Sequence, residues 1–135
     1  MKLIHIPTNH IVQIWDMVEP HLKRAEAFGG NEYSVEQIKV YLTLGQWILV
    51  VAMDEGRQIH GAATLSFINY PNDRVAFITA MGGKLITGKD TFPQLCRVLG
   101  LQGATKIQGA VRPSMAKLCT KYGFSEVAAL VEVKL

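Results

Sequence analysis

One feature of the sequence most constrains how this chain can fold. Three strand-like segments are joined by short turns, and a helix then connects the third of them to a fourth strand-like segment. "QWILVVAM", "QIHGAATLSFI" and "VAFITAM" are apolar and rich in β-branched residues, and the turns "DEGR" and "NYPNDR" separate them. They should form an antiparallel meander. The helical pattern "DTFPQLCRVLGLQG" then leads to the strand "TKIQGAV". Because a helical crossover joins parallel strands, the strands at 75–81 and 105–111 should run parallel.

The remaining segments complete the order β-α-α-β-β-β-α-β-α-β. "KLIHI" opens it as a short strand, a helix over 113–121 follows the crossover, and "EVAALVEVKL" supplies a last strand. The pattern therefore predicts an α+β fold with a mixed, mostly antiparallel central sheet flanked by helices.

Local signals set the ends of several elements. Pro20 should kink or end the first helix, because proline removes a backbone donor and clashes with the preceding turn. Ser34 and Gln37 form a capping box that opens the second helix, and Gly45 is a natural stop for it. Gly56 suits a positive-φ position in the turn "DEGR".

Composition favours one globular domain over residues 1–135. Hydrophobic residues make up 49% of the chain and charged residues 19%. No apolar run approaches the roughly 20 residues of a membrane-spanning helix, and no signal-peptide pattern opens the sequence. Cys96 and Cys119 have no metal-ligand spacing. We therefore expect free thiols, a cytoplasmic location, no metal and no membrane partner.

The basic residues concentrate in the second half of the chain. Residues 1–75 carry six Lys or Arg against eight Asp or Glu, whereas residues 76–125 carry seven against Asp90 alone. Such a half favours an anionic partner: a nucleotide cofactor, a nucleic acid or an acidic protein surface. Trp15 and Trp47 are placed for a core, and aromatic and basic residues do not interleave, so nucleic acid is the least favoured partner.

The element order, together with "GRQIHGAATL" and the helix "RPSMAKLCTKYGF", resembles the GNAT superfamily of acetyl-CoA-dependent N-acyltransferases. The topological likeness covers nearly the whole chain. It implies an enzyme that binds acetyl-CoA and transfers the acetyl group to an amine, carried by a small molecule or a protein, by direct attack on the thioester.

The resemblance implies that the cofactor lies against "TAMGGKLITGKDTF", where glycines let amides approach phosphates and lysines add charge. The spacing departs from the usual Gln/Arg-x-x-Gly-x-Gly/Ala loop of the family. Arg112 stands where an asparagine is usual. It is a candidate clamp for a phosphate or carboxylate. The candidate cofactor-binding residues are Ala80, Met81, Gly82, Gly83, Lys84, Gly88, Lys89, Arg112 and Ser114.

Catalysis needs a base for the incoming amine and an acid for the departing thiolate. The strand at 75–81 lacks the carboxylate that GNAT enzymes often carry there, which leaves His60, Asp73 and Glu32 as candidates. The usual acid, a tyrosine in the last helix, is replaced by Cys119, with Tyr122 three positions along.

These departures keep a second interpretation open: a catalytically silent GNAT-like module that binds a protein partner, similar to small GNAT-like proteins of tailed phages. The acceptor is not specified either, although Glu19, Glu26 and Glu32 are possible partners for a cationic amine. The terminal segment "VAALVEVKL" is apolar at consecutive positions, so an uncovered edge there would favour a homodimer.

Overall fold

The computed structural model describes residues 1–28, 32–85 and 90–135, including all of their side chains except those of 25–28. Five strands form one sheet in the order β1-β2-β3-β4-β5. Neighbours pair antiparallel as far as β4, and β4 and β5 pair parallel, as the meander and the crossover predict. The strands are β1 (Lys2–Ile6), β2 (Ile48–Met53), β3 (Ile59–Asn69), β4 (Arg74–Gly83) and β5 (Lys106–Gly109).

Helices cover both faces of the sheet. They are α1 (Ile11–Phe28), α2 (Val35–Thr43), α3 (Thr91–Leu101) and α4 (Pro113–Cys119), with short 3-10 turns at Thr8–His10 and Thr120–Tyr122. The first two helices bury their apolar faces on one side of the sheet, and α3 packs on the other. The fold is therefore α+β with a central mixed sheet, as predicted. No helix in the described ranges is both long enough and apolar enough to cross a bilayer.

The second helix begins and ends as predicted. The Ser34 hydroxyl accepts from the Gln37 amide while the Gln37 side chain accepts from the Ser34 amide, which completes the capping box. Gly45 has a φ of 74° just after the helix. Pro20 does not end the first helix, because α1 continues through it to Phe28. Val18 and Leu22 are fully buried on either side of the proline, so packing offsets the lost hydrogen bond.

The first turn uses a different residue from the one predicted. Arg57, with a φ of 63°, occupies the left-handed position, and Gly56 does not. The Arg57 amide donates to the Asp54 carbonyl, and the Asp54 amide donates to the Gln58 carbonyl. These bonds close a five-residue turn from Asp54 to Gln58, in which Arg57 is the residue in the left-handed conformation.

The predicted last strand is also wrong. Residues 124–135 have no regular secondary structure, and residues 126–135 are all exposed. The element order is thus confirmed up to α4, and the sheet ends at β5 within the described part of the chain. An alternating apolar segment favours a strand only where a sheet edge receives it.

Candidate functional site

The parallel strands β4 and β5 separate partway along their length. They pair from Val75 with Lys106 to Ile78 with Gly109, and there β5 ends, whereas β4 continues to Gly83. No strand in the described part of the chain pairs with this side of β4 beyond Ile78. Main-chain donors and acceptors along 79–83 can therefore meet an extended ligand as a strand would. We call this opening the β4–β5 gap.

A β-bulge marks the start of the gap. Thr64 pairs with Ala80 and Leu65 with Ile78, so Thr79 is an extra residue without a cross-strand partner. The Thr79 and Thr64 hydroxyl oxygens lie 2.7 Å apart, and Thr64 is fully buried. Bulges leave the extra residue outside the ladder and commonly lie next to active sites.

The bulge changes which face each later side chain occupies. Ile78 packs with α3, whereas Ala80, two residues on, packs with the α1 and α2 cluster. In a regular strand these two residues would share a face. Met81 then packs on the α3 side. Both faces of the sheet therefore contribute side chains at the gap.

The strand end that borders the gap lies very close to α1. A β-carbon on Gly82 would lie 1.9 Å from the His21 carbonyl oxygen, and Gly83 has a φ of 75°. The His21 Nε2 lies 2.9 Å from the Ile59 carbonyl oxygen, a distance at which that nitrogen donates. The His21 Nδ1 is buried without a hydrogen-bond partner. The two glycines thus allow α1 and the end of β4 to meet backbone to backbone.

A hydrogen bond joins Leu85, shortly after β4, to Thr91 at the start of α3. Leu85 is fully buried among the residues under α3, and the Thr91 hydroxyl donates to its carbonyl oxygen. Lys84 is exposed, and its amide donates to the His60 carbonyl over 2.8 Å. The predicted residues Gly88 and Lys89 lie outside the described residues. The helix α3 follows with Pro93 in its first turn, where no intrahelical donor is lost.

Four of the predicted cofactor residues lie on the strand that borders the gap. Ala80, Met81, Gly82 and Gly83 belong to β4 itself, so the strand ends two residues later than predicted. Arg112 occupies the N-cap position of α4, three residues beyond the end of β5. Ser114 lies in the first turn of α4, five residues beyond that end. Ala80 to Gly83 therefore border the opening, and a place at the opening for Arg112 and Ser114 stays a prediction.

The candidate base His60 has a partner that sequence reasoning missed. Its Nε2 lies 2.7 Å from the Asp54 Oδ2, and the two side chains are 37% and 36% exposed. Hydrogen bonds from His60 and then from the Gln58 amide hold the pKa of the Asp54 carboxyl below its ordinary value. Through Gly61, which pairs with Gly83, His60 lies next to the end of β4. The sequence did contain a signal for this pair, because Asp54 opens the turn that precedes the strand carrying His60.

A titration can check this pair. We expect the Asp54 carboxyl to titrate below the ordinary aspartate range and His60→Ala to raise its pKa. The pair then stabilises the fold at pH values above that range, and the stabilisation is lost as the pH falls through the lowered pKa. Carbon-detected NMR of Asp54 measures the midpoint in both proteins. An unchanged midpoint would mean that His60 does not interact with the carboxylate in solution.

The other acid and base candidates lie elsewhere. Cys119 is buried at the end of α4, and burial raises the pKa of its thiol. The half-buried Tyr122 ring packs edge-on against Phe92 in the first turn of α3, with ring centroids 6.3 Å apart. Asp73 pairs with Lys106 at 2.9 Å at the opposite end of β4, where it fastens β4 to β5. Glu32 is exposed.

Comparison with known proteins identifies this architecture. No protein-family model matches the chain, and no curated protein matches its sequence. Among solved structures, a probable acetyltransferase matches with a TM-score of 0.70 and 13% identity, covering 100% of this chain and 97% of that one. A predicted acetyltransferase with acetyl-CoA from Clostridium acetobutylicum matches with a TM-score of 0.65 and 17% identity, over 98% and 95% of the two chains.

An aminoglycoside 6'-N-acetyltransferase from Acinetobacter baumannii has the same architecture. Its TM-score is 0.65 at 13% identity, over 99% of this chain and 97% of that one. At such identities the likeness concerns the fold. The mixed five-stranded sheet flanked by helices is thus that of the GNAT acetyltransferase fold, which this chain has.

Proposed function

We propose that this protein binds acetyl-CoA in the β4–β5 gap and transfers the acetyl group to an amine. The observation that carries the proposal is the unpaired side of β4 over 79–83, beginning at a bulge where β5 ends. An extended arm with amide groups, such as pantetheine, fits a strand edge of this kind. The fold likeness to acetyltransferases supports the same assignment.

Residues on three sides of the gap would hold the cofactor. The main chain of Ala80 and Met81 would bond the arm, with Gly82 and Gly83 at the turn of the strand away from it. Exposed Lys84, together with Gly88 and Lys89 of the sequence between β4 and α3, would meet the phosphates near the start of α3. Arg112 and Ser114 would close the side that follows β5.

Residues of the chain would then stabilise the charge that develops on the thioester oxygen and transfer the protons of the reaction. Bound acetyl-CoA supplies a thioester whose carbonyl carbon the amine attacks, forming the amide and releasing CoA. A main-chain amide at the bulge would donate to the carbonyl oxygen as negative charge develops there. His60, oriented by Asp54, would take the proton of the amine. Tyr122 or Cys119 would return a proton to the sulfur.

The acceptor is proposed as an amine of a small molecule or a protein. Glu19 and Glu32, with Glu26, belong to the region of α1 and α2 and offer negative charge to a cationic amine. The two cysteines are free thiols, and with an acyl-CoA substrate they support a cytoplasmic location.

Isothermal titration with acetyl-CoA tests the proposal. We expect micromolar binding, and a Lys84→Ala/Lys89→Ala variant should bind at least about tenfold more weakly, since a hydrogen bond to a charged group contributes about 1.5–3 kcal/mol. A Lys2→Ala/Lys23→Ala variant removes the same charge from exposed positions of β1 and α1, and it should bind normally.

Two results would contradict the proposal in different ways. Absence of heat at high acetyl-CoA concentration, from protein shown to be folded by circular dichroism, would exclude the enzyme and favour a catalytically silent module. Normal binding by the Lys84→Ala/Lys89→Ala variant would support acetyl-CoA as the cofactor but would show that its phosphates do not contact these two lysines.

A further inference from the structure

A groove of about 590 Å³ follows the outer edge of β5 beneath α3. Because β5 is the last strand of the described sheet, the backbone groups on this edge have no strand partner there. An uncovered edge of this kind is a template for another strand. The walls of the groove are largely apolar and include Phe92, Leu99, Ala104, Ile107, Tyr122 and Phe124.

The segment over residues 126–135, which we call the tail, has the composition of a strand but pairs with no strand in the described part of the chain. Its apolar side chains are exposed: Val127 by 78%, Val131 by 88% and Val133 by 80%. Every second residue from 127 to 135 is apolar, namely Val, Ala, Val, Val and Leu. The alternate positions are mixed and hold Glu126, Ala128, Leu130, Glu132 and Lys134. A strand made from the tail would therefore have one wholly apolar face.

We propose that two copies of this chain exchange their tails, each tail pairing with the β5 edge of the other copy and filling its groove. The tail of a given chain begins beside its own groove, because Val127 contributes to the wall. Residues 126–135 are all exposed, and no strand in the described part of the chain pairs with the outer edge of β5. Each copy thus carries both a donor strand and an acceptor edge, and a two-fold axis satisfies both at once.

The dimensions agree with such an exchange. At about 3.3 Å per residue, the ten-residue tail is about 33 Å long, and the edge over 105–109 is about 16 Å long. Roughly half of the tail can pair with β5 while the other half crosses the two-fold axis. With its apolar face turned towards α3, the tail would cover Leu99 and Ile107. Exchange would also hide an edge that invites aggregation.

Light scattering after size-exclusion chromatography measures the state directly. We expect the full chain to elute as a dimer with twice the 14.9 kDa mass of one chain. Val131→Asp places a charge on the apolar face of the tail and should give a monomer. Leu130→Asp, one residue away on the opposite face, introduces the same charge and should leave the dimer intact.

The acceptor side is tested at Gly100, which lines the groove and has room for a side chain, since nothing lies within 4 Å of the point that a β-carbon would occupy. Gly100→Arg should fill the groove and give a monomer, whereas Gly100→Ala should remain a dimer. A mixture of Val131→Asp and Gly100→Arg chains retains one sound tail and one sound groove. It should form a heterodimer, although each variant alone is monomeric.

Three results would overturn the exchange. A monomeric full chain would exclude it, and so would a dimer that survives both Val131→Asp and Gly100→Arg. Monomeric variants that fail to form a heterodimer would show that no tail passes between copies. Near-ultraviolet circular dichroism confirms that each variant is folded before its mass is interpreted. Because none of these measurements uses acetyl-CoA, they stand or fall independently of the proposed function.

Discussion

Gly82→Ala should destabilise this protein more than most single methyl additions. The new β-carbon would lie 1.9 Å from the His21 carbonyl oxygen and 2.7 Å from its carbonyl carbon. Both atoms belong to the backbone of α1, so no side-chain rotation relieves the contact. Helix and strand must separate, which uncovers apolar surface between α1 and the sheet. We expect a loss of about 3 kcal/mol or more, seen as a fall in Tm of roughly 10 °C.

Gly100→Ala is the matched control for that substitution. It adds the same methyl group to a helical residue where nothing lies within 4 Å. Replacing a helical glycine by alanine should stabilise α3 by up to about 1 kcal/mol. Thermal and urea unfolding of the two variants beside the unmodified protein measures the difference. Equal stability of the Gly82→Ala protein would mean that α1 does not approach β4 as closely in solution.

The elements with a strong local pattern could be predicted from the sequence. The capping box at Ser34 formed because the hydroxyl and the amide that satisfy each other lie three residues apart. The apolar, β-branched strand segments and the helix between β4 and β5 predicted the topology in the same way. Pro20 shows the limit of local rules, since burial of Val18 and Leu22 outweighs its cost.

The features that shape the site depend on distant parts of the chain. Gly82 and Gly83 were predicted as phosphate-loop glycines, and only the fold shows that α1 requires their small size. The bulge at Thr79 is a shift in register between two strands, which the sequence of β4 alone does not encode. Cofactor contacts of these glycines stay a prediction. The tail also shows this dependence, because its apolar residues predict a strand but do not indicate which sheet edge that strand would pair with.

His60→Gln should lower the rate of acetyl transfer by about 10²-fold or more, the range expected when a general base is removed. The His60 Nε2 donates to the Asp54 carboxylate over 2.7 Å, which orients the imidazole. The Nδ1 is therefore the nitrogen that can accept a proton. Asp54 is fixed in turn by the Gln58 amide at 2.9 Å. Because its pKa is lowered, Asp54 is ionised at neutral pH. Asp54→Asn should therefore have a smaller effect, about tenfold, by loosening the imidazole without removing it.

The measurement is the release of CoA thiol from acetyl-CoA in the presence of a panel of amine acceptors. His10→Gln is the matched control, since it makes the same change at an exposed histidine of the first 3-10 turn and should retain full activity. Isothermal titration should show unchanged acetyl-CoA affinity for all three variants, because the phosphates are assigned to the loop after β4. A full rate with His60→Gln would assign proton removal to another group or to water. A full loss of cofactor binding would instead show that His60 supports the end of β4, to which its carbonyl is bonded through the Lys84 amide.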